Sequence, residues 1–301
     1  MVKEVVKSPI FYMGNKERLI KKGLVDLFPK NINRFVDLFC GSGVVSMNVD
    51  AKYHILNDYN QTIIDLLKFF KENDAERIIN RMNTTIKNHQ ILKGFNKRDT
   101  SETEEYKSLA KENYNKFRDY YNNVDKSILN LYILSYYCNN NNIRFNKNGE
   151  FNMPIGNQYF NIEKHSQKII DGCKFLSNPN VKLSNRSYID LKLDKLNEND
   201  FVYLDPPYLN TLAIYNEQQG WSIEDDYKLF ELCDNLTSRG IKWAISNVFE
   251  NKGVVNQHLI DWSHKNNYHV HHFDDFTYVS CGKGNAKTDE VLITNYTLQN
   301  D

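Results

Sequence analysis

The sequence predicts an α/β fold: an open, mostly parallel sheet with helices on both faces, interrupted by an inserted, mostly helical lobe. Three observations predict it. Two short apolar strand candidates, Phe35–Phe39 and Tyr53–Asp58, flank a glycine turn near the start of the chain. Residues 74–134 are then polar and helical in character, with no clear strand. Alternation of strand and helix resumes after residue 180, as expected for a sheet divided by an insertion.

The elements follow in order. Phe35-Val36-Asp37-Leu38-Phe39 reads as a strand, Cys40-Gly41-Ser42-Gly43 as a tight turn, and the residues through Val49 as a helix. Tyr53–Asp58 is a second strand ending on an acid, followed by a helix over 61–71. This is a βαβ opening. The Asn-rich run Asn139–Asn142 leads into Arg144–Phe151, where Asn148-Gly149 between Phe145 and Phe151 signals a β-hairpin. Later strands are expected at 181–187, 200–204, 241–246, 268–274 and 289–296, with helices near 163–175, 223–239 and 253–266. The division expected is residues 1–73 and 177–301 for the sheet domain and 74–176 for the insertion.

At 41% hydrophobic and 25% charged residues, the chain has the composition of a packed globule rather than a disordered one. No apolar run approaches the ~20 residues of a membrane span. Met1-Val2-Lys3-Glu4 lacks the apolar core of a signal peptide, so a cytoplasmic protein is expected. The five cysteines are scattered without CxxC spacing, which argues against a disulfide framework or a zinc site. His269, His271 and His272 have the spacing of a half-exposed strand, so no metal is expected. Formal net charge is zero, but residues 1–34 carry eight basic side chains against three acidic, and residues 164–195 seven against three. If these stretches converge, they could follow a phosphate backbone.

Chemistry concentrates at Asp205-Pro206-Pro207-Tyr208, directly after the apolar strand Phe201–Leu204. Two prolines fix the backbone and remove two donors, which leaves a carboxylate, a fixed carbonyl and an aromatic face. Such a rim suits a planar heterocycle with an amino group, because the acceptors take its hydrogens while the ring stacks on Tyr208. Upstream, the Gly41-Ser42-Gly43 turn lets a ligand approach the backbone, and Asp58 at the next strand end suits ribose hydroxyls. A nicotinamide-dinucleotide site is disfavoured, because Ser46 stands where a third glycine would be. Asp37 suits a cationic amino acid tail better than a pyrophosphate.

Phe11-Tyr12-Met13-Gly14-Asn15-Lys16, Asp37 to Gly43, Asn57-Asp58, Arg144-Phe145-Asn146, Gly149 to Gly156, Asp205 to Tyr208, Ile245-Ser246-Asn247 and Asp289 to Leu292 occur in this order. The set resembles the Dam-type (D12 class, alpha-group) DNA adenine methyltransferases over about residues 8–296. The resemblance implies a Rossmann-like methyltransferase sheet with an inserted target-recognition lobe containing a β-hairpin. It implies S-adenosyl-L-methionine as cofactor, held by Tyr12, Lys16, Asp37, Gly41, Gly43, Asp58, Ser187, Tyr188 and Asp205. The reaction implied is methylation of the exocyclic N6 of an adenine flipped out of duplex DNA. Asp205, Pro206 and Tyr208 are the catalytic residues implied, and Asn140 and Arg144 the DNA contacts.

Three alternatives stay open: methylation of the cytosine N4 amine, a catalytically idle DNA-binding regulator on the same fold, and an RNA substrate. The partners expected are double-stranded DNA and a cognate restriction endonuclease, for a monomeric enzyme. The polar segment Asn210–Trp221 reads equally as a flap over the flipped base or a plain surface loop. Family members that read GATC commonly carry lysine immediately before the aromatic of the first motif, and this chain has Phe11 there. Phenylalanine cannot donate to guanine O6 and N7, so a different or relaxed outer base is expected.

Overall fold

A computed structural model describes residues 4–95, 101–209, 221–278 and 286–297. Among these residues the elements are α1 (Glu17–Lys21), β1 (Ile32–Asp37), β2 (Ala51–Asn57), α2 (Gln61–Glu72), α3 (Ala75–Asn88), α4 (Glu104–Asn123), α5 (Ile128–Tyr137) and α6 (Ile162–Leu176). They continue with β3 (Val181–Ser184), β4 (Phe201–Leu204), α7 (Ile223–Ser238), β5 (Lys242–Asn251), β6 (Val254–Val255), α8 (Gln257–Lys265), β7 (His269–Tyr278) and β8 (Ala286–Thr294).

Helix starts are written in the side chains. Asn60, Asp74, Thr103, Asn161 and Asn256 each accept a backbone N–H from the first turn of α2, α3, α4, α6 and α8, which satisfies one of the donors that a helix leaves unpaired. Ser222 and Asp225 form a reciprocal capping box at the start of α7. Within α5 every residue from Leu129 to Tyr137 is buried, as expected of a helix that is apolar all round.

The sheet order is β3-β2-β1-β4-β5-β8-β7, with β6 paired to β5. Strands β3, β2, β1, β4 and β5 are parallel, and β8 is antiparallel to both β5 and β7. Side chains alternate between the two faces, because the strand period is two. Val36, Val202 and Leu204 pack with α7 and α8, whereas Phe35, Phe201 and Tyr203 pack with Phe28 and Leu24 on the opposite side. The Rossmann-like sheet with helices on both faces is therefore realised.

Three expectations need correction. The helix expected after Gly43 is only a 3-10 turn over Ser46–Asn48: Val44 and Val45 are β-branched, Ser46 gives its hydroxyl to Asp37, and Asn48 bonds Val6 and Val44. Strand β3 ends at Ser184 rather than 187, so Ser187 and Tyr188 lie in the loop beyond it. There the Asn185 amide donates to the Asp58 and Tyr59 carbonyls and the Asn57 amide to the Arg186 carbonyl. The expected hairpin, by contrast, forms: Phe145 and Phe151 pair antiparallel, the Asn146 N–H donates to the Glu150 carbonyl and the Asn152 N–H to the Arg144 carbonyl, and the Asn146 side chain braces the turn. Finally, the segment read as the start of the last helix holds β6, and α8 begins only at Gln257.

Helices α3 to α6 occupy residues 75–176 and are not packed apart from the sheet domain. Their apolar side chains, among them Ile78, Met82, Tyr114, Tyr132 and Ile169, share one core with Ile64, Leu67 and Phe70 of α2 and Leu56 of β2.

Candidate active site

The chain leaves β1 toward β2 on one side of the sheet and leaves β4 toward β5 on the other. Between these neighbouring strands the order reverses, and their carboxyl ends bound a crevice of the kind that holds ligands in open α/β sheets. Asp37 ends β1 in register with Tyr203 of β4, and Asp205 follows β4 by one residue.

Asp205 is held from two directions. Lys16 Nζ lies 2.7 Å from Oδ2, and the Tyr208 hydroxyl donates to Oδ1 at 3.1 Å. The Lys16 ammonium also donates to the Gly14 carbonyl at 3.0 Å and sits 5.1 Å from the centroid of the Tyr208 ring. One ammonium thus binds the carboxylate and covers one face of the ring expected to stack. Pro206 is buried. Lys16 and Asp205 are 189 positions apart, so only the ordered motif set tied them together in the sequence.

The turn after β1 is built around Asp58. Its Oδ2 accepts the Gly41 N–H at 2.9 Å and its Oδ1 the Asn60 N–H at 2.8 Å. Gly41 and Gly43 have φ of +47° and +74°, a region that only glycine enters at little cost. A Cβ at Gly41 would lie 2.7 Å from Tyr12 Cε1, so the Tyr12 ring rests directly on the turn. The Asn57 side chain, part of a motif but given no role by the sequence, ties the site together by donating to the carbonyls of Leu38 and Arg186 at 3.1 and 3.0 Å. A buried asparagine just before the strand-end acid was the available signal.

Tyr188 is buried, with its ring 5.3 Å from that of Phe39 and 5.6 Å from that of Trp221. Its hydroxyl donates to the Asp225 carbonyl. Ser187 accepts a turn bond from the Asp190 N–H. Asn140 is exposed in the left-handed region at φ +56°, and exposed Arg144 donates to Asn152 at 3.1 Å. Neither is hydrogen-bonded to the Lys16–Asp205–Tyr208 group. Of the segment Asn210–Trp221, all but Trp221 lies outside the described residues. Among the described residues, no group of three or more His, Cys, Asp or Glu side chains gathers as a metal site, and no helix is long and apolar enough to cross a membrane.

Three carboxylates, Asp37, Asp58 and Asp205, act on one another at this crevice, where Lys16 pairs with Asp205, and burial pushes each of them above its ordinary value. Asp37 is raised to about 7, by burial first and by Asp205 and Asp58 after it, against a 2.7 Å bond from the Ser46 hydroxyl. Its Oδ1 is buried with no hydrogen-bond partner among the described residues. Such a pocket is short of positive charge, and a cationic ligand would relieve it.

The ligand-free protein therefore has a defined pH response. Because the folded pKa of Asp37 lies above the unfolded 3.8, the folded state binds the extra proton between these values. Its contribution to stability is present at acid pH and is lost as pH rises through about 4 to 7. Thermal melts at pH 5 and pH 8 should show a wild-type loss that Asp37→Asn reduces, with Asp58 and Asp205 contributing in the same direction. Parallel pH profiles for the two proteins would show that Asp37 is ionised throughout.

Residues 12–283 match the D12 class N6 adenine-specific DNA methyltransferase family. The chain belongs to that family. Relatives of this D12-class chain include modification methylase StsI of Streptococcus sanguinis, 35% identical over 98% of this chain and 43% of the relative. Type II methyltransferase M.FokI of Planomicrobium okeanokoites is 34% identical over 97% of this chain and 43% of the relative. The DNA adenine methylase of Salmonella typhi is 27% identical over 70% of each chain. The D12-class chain thus spans less than half the length of the two modification methylases. Membership of a methyltransferase family implies a methyl donor.

Proposed function

We propose that this chain transfers the methyl group of S-adenosyl-L-methionine to the exocyclic N6 of adenine in double-stranded DNA. The observation that carries the proposal is Asp205, held by Lys16 and Tyr208 at the crevice between β1 and β4. The crevice fits the cofactor chemically: the unpartnered Asp37 Oδ1 and the acidic excess suit a cationic tail, and the glycine turn with Asp58 suits a ribose. Bound there, S-adenosyl-L-methionine supplies an electrophilic methyl group carried on a sulfonium. Tyr12, Lys16, Asp37, Gly41, Gly43, Asp58 and Asp205 would hold it, with Ser187 and Tyr188 beyond β3 toward its adenine.

The protein's own part is placement and hydrogen bonding. The Asp205 carboxylate and the Pro206 carbonyl accept the two amino hydrogens of the target base, which favours a pyramidal nitrogen with a localised lone pair. A carboxylate has about four lone-pair sites, so the bonds from Lys16 and Tyr208 leave room for that acceptance. Burial pushes the Asp205 carboxyl up, and the Lys16 ammonium opposes that push. The adenine is flipped out of the duplex, and the ring face of Tyr208 away from Lys16 receives it. Residues 74–176 form the target-recognition lobe, which presents Asn140 and Arg144 to the base edges. The name modification methylase borne by a relative supports a cognate restriction endonuclease as partner, and a monomeric, cytoplasmic enzyme is part of the same proposal.

The test is to incubate the purified chain with S-adenosyl-L-methionine and a randomised duplex library, and then to sequence the products for modified bases. N6-methyladenine in a defined context is expected, differing from GATC at the outer position because of Phe11. Methylcytosine, or no modification, would overturn the proposed activity; strict GATC would overturn only the altered specificity.

A further inference from the structure

Three segments distant in sequence meet at one lysine of α6. Lys168 Nζ lies 3.7 Å from the centroid of the Phe11 ring and 4.9 Å from that of Tyr136, and these two rings meet edge to face at 4.9 Å. Tyr136 is fixed in turn by the Tyr132 hydroxyl at 3.0 Å and by the rings of Phe160 and His165 at 5.2 and 4.9 Å. Phe11 is anchored through its neighbours. The Pro9 carbonyl accepts from the Tyr132 hydroxyl, Pro9 packs so closely on Gly172 of α6 that a Cβ there would lie 2.6 Å away, and Tyr12 rests on Gly41.

The two rings attract the ammonium through their quadrupoles but do not satisfy its three N–H donors. Among the described residues, no carboxylate, carbonyl or hydroxyl bonds Lys168. The surrounding charge is mixed. Lys7 opposes the Lys168 charge and Glu17 favours it, while burial, followed by Lys168 and then Lys164, pushes the His165 imidazole down to about 4. His165 accepts the Asn161 N–H and is neutral near pH 7. The Tyr132 and Tyr136 hydroxyls are pushed up by burial and do not titrate near neutrality. Lys7 and Lys168 come from the two basic stretches of the sequence, so those stretches converge here, beside the first motif and the end of α5 that leads into Asn139–Asn142.

The geometry points to Lys168 as a DNA phosphate ligand: an ammonium held between Phe11 and Tyr136 whose missing acceptors are phosphodiester oxygens of the substrate, with Lys7 and Lys164 widening the same patch. This assignment rests on the reading of DNA as substrate. A phosphate at this position would complete the hydrogen bonding of a cation that the protein itself only stacks. Burial and Lys7 lower the Lys168 pKa to about 8. Binding of an anion would raise it again, so DNA affinity should fall as pH passes that value.

The experiment uses the full chain, a randomised-sequence duplex, and the variants Lys168→Met, which keeps the stem, and Lys168→Arg, which keeps a permanent charge. Binding constants are measured over a salt series at pH 7 and pH 9, with cofactor affinity and thermal melts as controls of integrity. Lys168→Met should weaken DNA binding several-fold for all sequences alike and make the log–log salt slope shallower by about one. Lys168→Arg should retain both affinity and slope at pH 7 and lose the extra weakening that the wild type shows at pH 9. Unchanged affinity and slope in Lys168→Met would overturn the assignment and leave Lys168 a packing residue. A changed base preference at one position of the methylated site would also overturn it, in favour of base reading. If the wild-type chain binds no duplex at all, the functional reading fails together with this one.

Discussion

Asp205→Asn leaves the chain folded and lowers the rate of methyl transfer by on the order of 10²–10³-fold, the scale associated with losing one preorganised polar group at a reacting centre. The amide keeps the shape of the side chain and one acceptor. It also turns two N–H donors toward a base whose amino group needs acceptors. Alanine is the less informative variant. It would leave the 6% exposed Lys16 with only the Gly14 carbonyl, and removing one partner of a buried ion pair typically costs about 3–5 kcal/mol. Loss of activity in Asp205→Ala therefore mixes chemistry with unfolding. Single-turnover rates at saturating cofactor and DNA, read beside thermal melts, separate the two. A folded Asp205→Asn protein with near wild-type turnover would remove Asp205 from the mechanism.

Gly41→Ala raises the cofactor dissociation constant at least tenfold. Two costs combine. The left-handed conformation at φ +47° penalises any Cβ by about 1–2 kcal/mol, and the new methyl would sit 2.7 Å from the Tyr12 ring, which must move off the turn. Tyr12, the bond from Gly41 N to Asp58 and the approach to the backbone are disturbed together. Gly149→Ala is the matched control: φ is +72°, but no heavy atom lies within 4 Å of the added Cβ. Both variants should lower the melting temperature by a few degrees, but only Gly41→Ala should lose cofactor affinity by titration calorimetry. Equal cofactor affinity in the two would place the cofactor away from this turn.

Much of the sheet was legible because its signals are local. Phe201–Leu204 is apolar at every position and became a strand buried on both faces, and α2, α6 and α7 began where capping side chains stand before periodic apolar residues. The failures came where side chains took over the work of the backbone. Ser46 and Asn48 spend their polar groups on Asp37, Val6 and Val44 instead of continuing a helix, and Asn185 turns its amide to the Asp58 and Tyr59 carbonyls where β3 was expected to continue. The antiparallel strands at the far edge were read too short, since their length is set by partners: β5 runs on to Asn251 because β8 pairs with it as far as Thr288. In the candidate site, strand-end logic marked Asp58 for ribose hydroxyls, but its bonds to the Gly41 and Asn60 N–H groups were not foreseen. The Lys16 ammonium lying over Tyr208, the Tyr12 ring against Gly41, and the Asn57 tie to Arg186 depend on contacts that no spacing encodes.

The core shared by α2 and the inserted helices bears on any attempt to give this chain a new target by grafting residues 74–176 from a relative. Such a transplant would not end at two loop crossings. Phe70 of the host meets Tyr132 of the graft edge to face at 5.0 Å, and the Tyr132 hydroxyl reaches back to the Pro9 carbonyl. A donor segment with another residue at position 132 would open a void beneath α2 and release the strand of chain that carries Tyr12 and Lys16. Chimeras should therefore succeed or fail on the match across this seam, and a recipient altered at Phe70 and Pro9 to suit its donor should outperform one joined only at the boundaries.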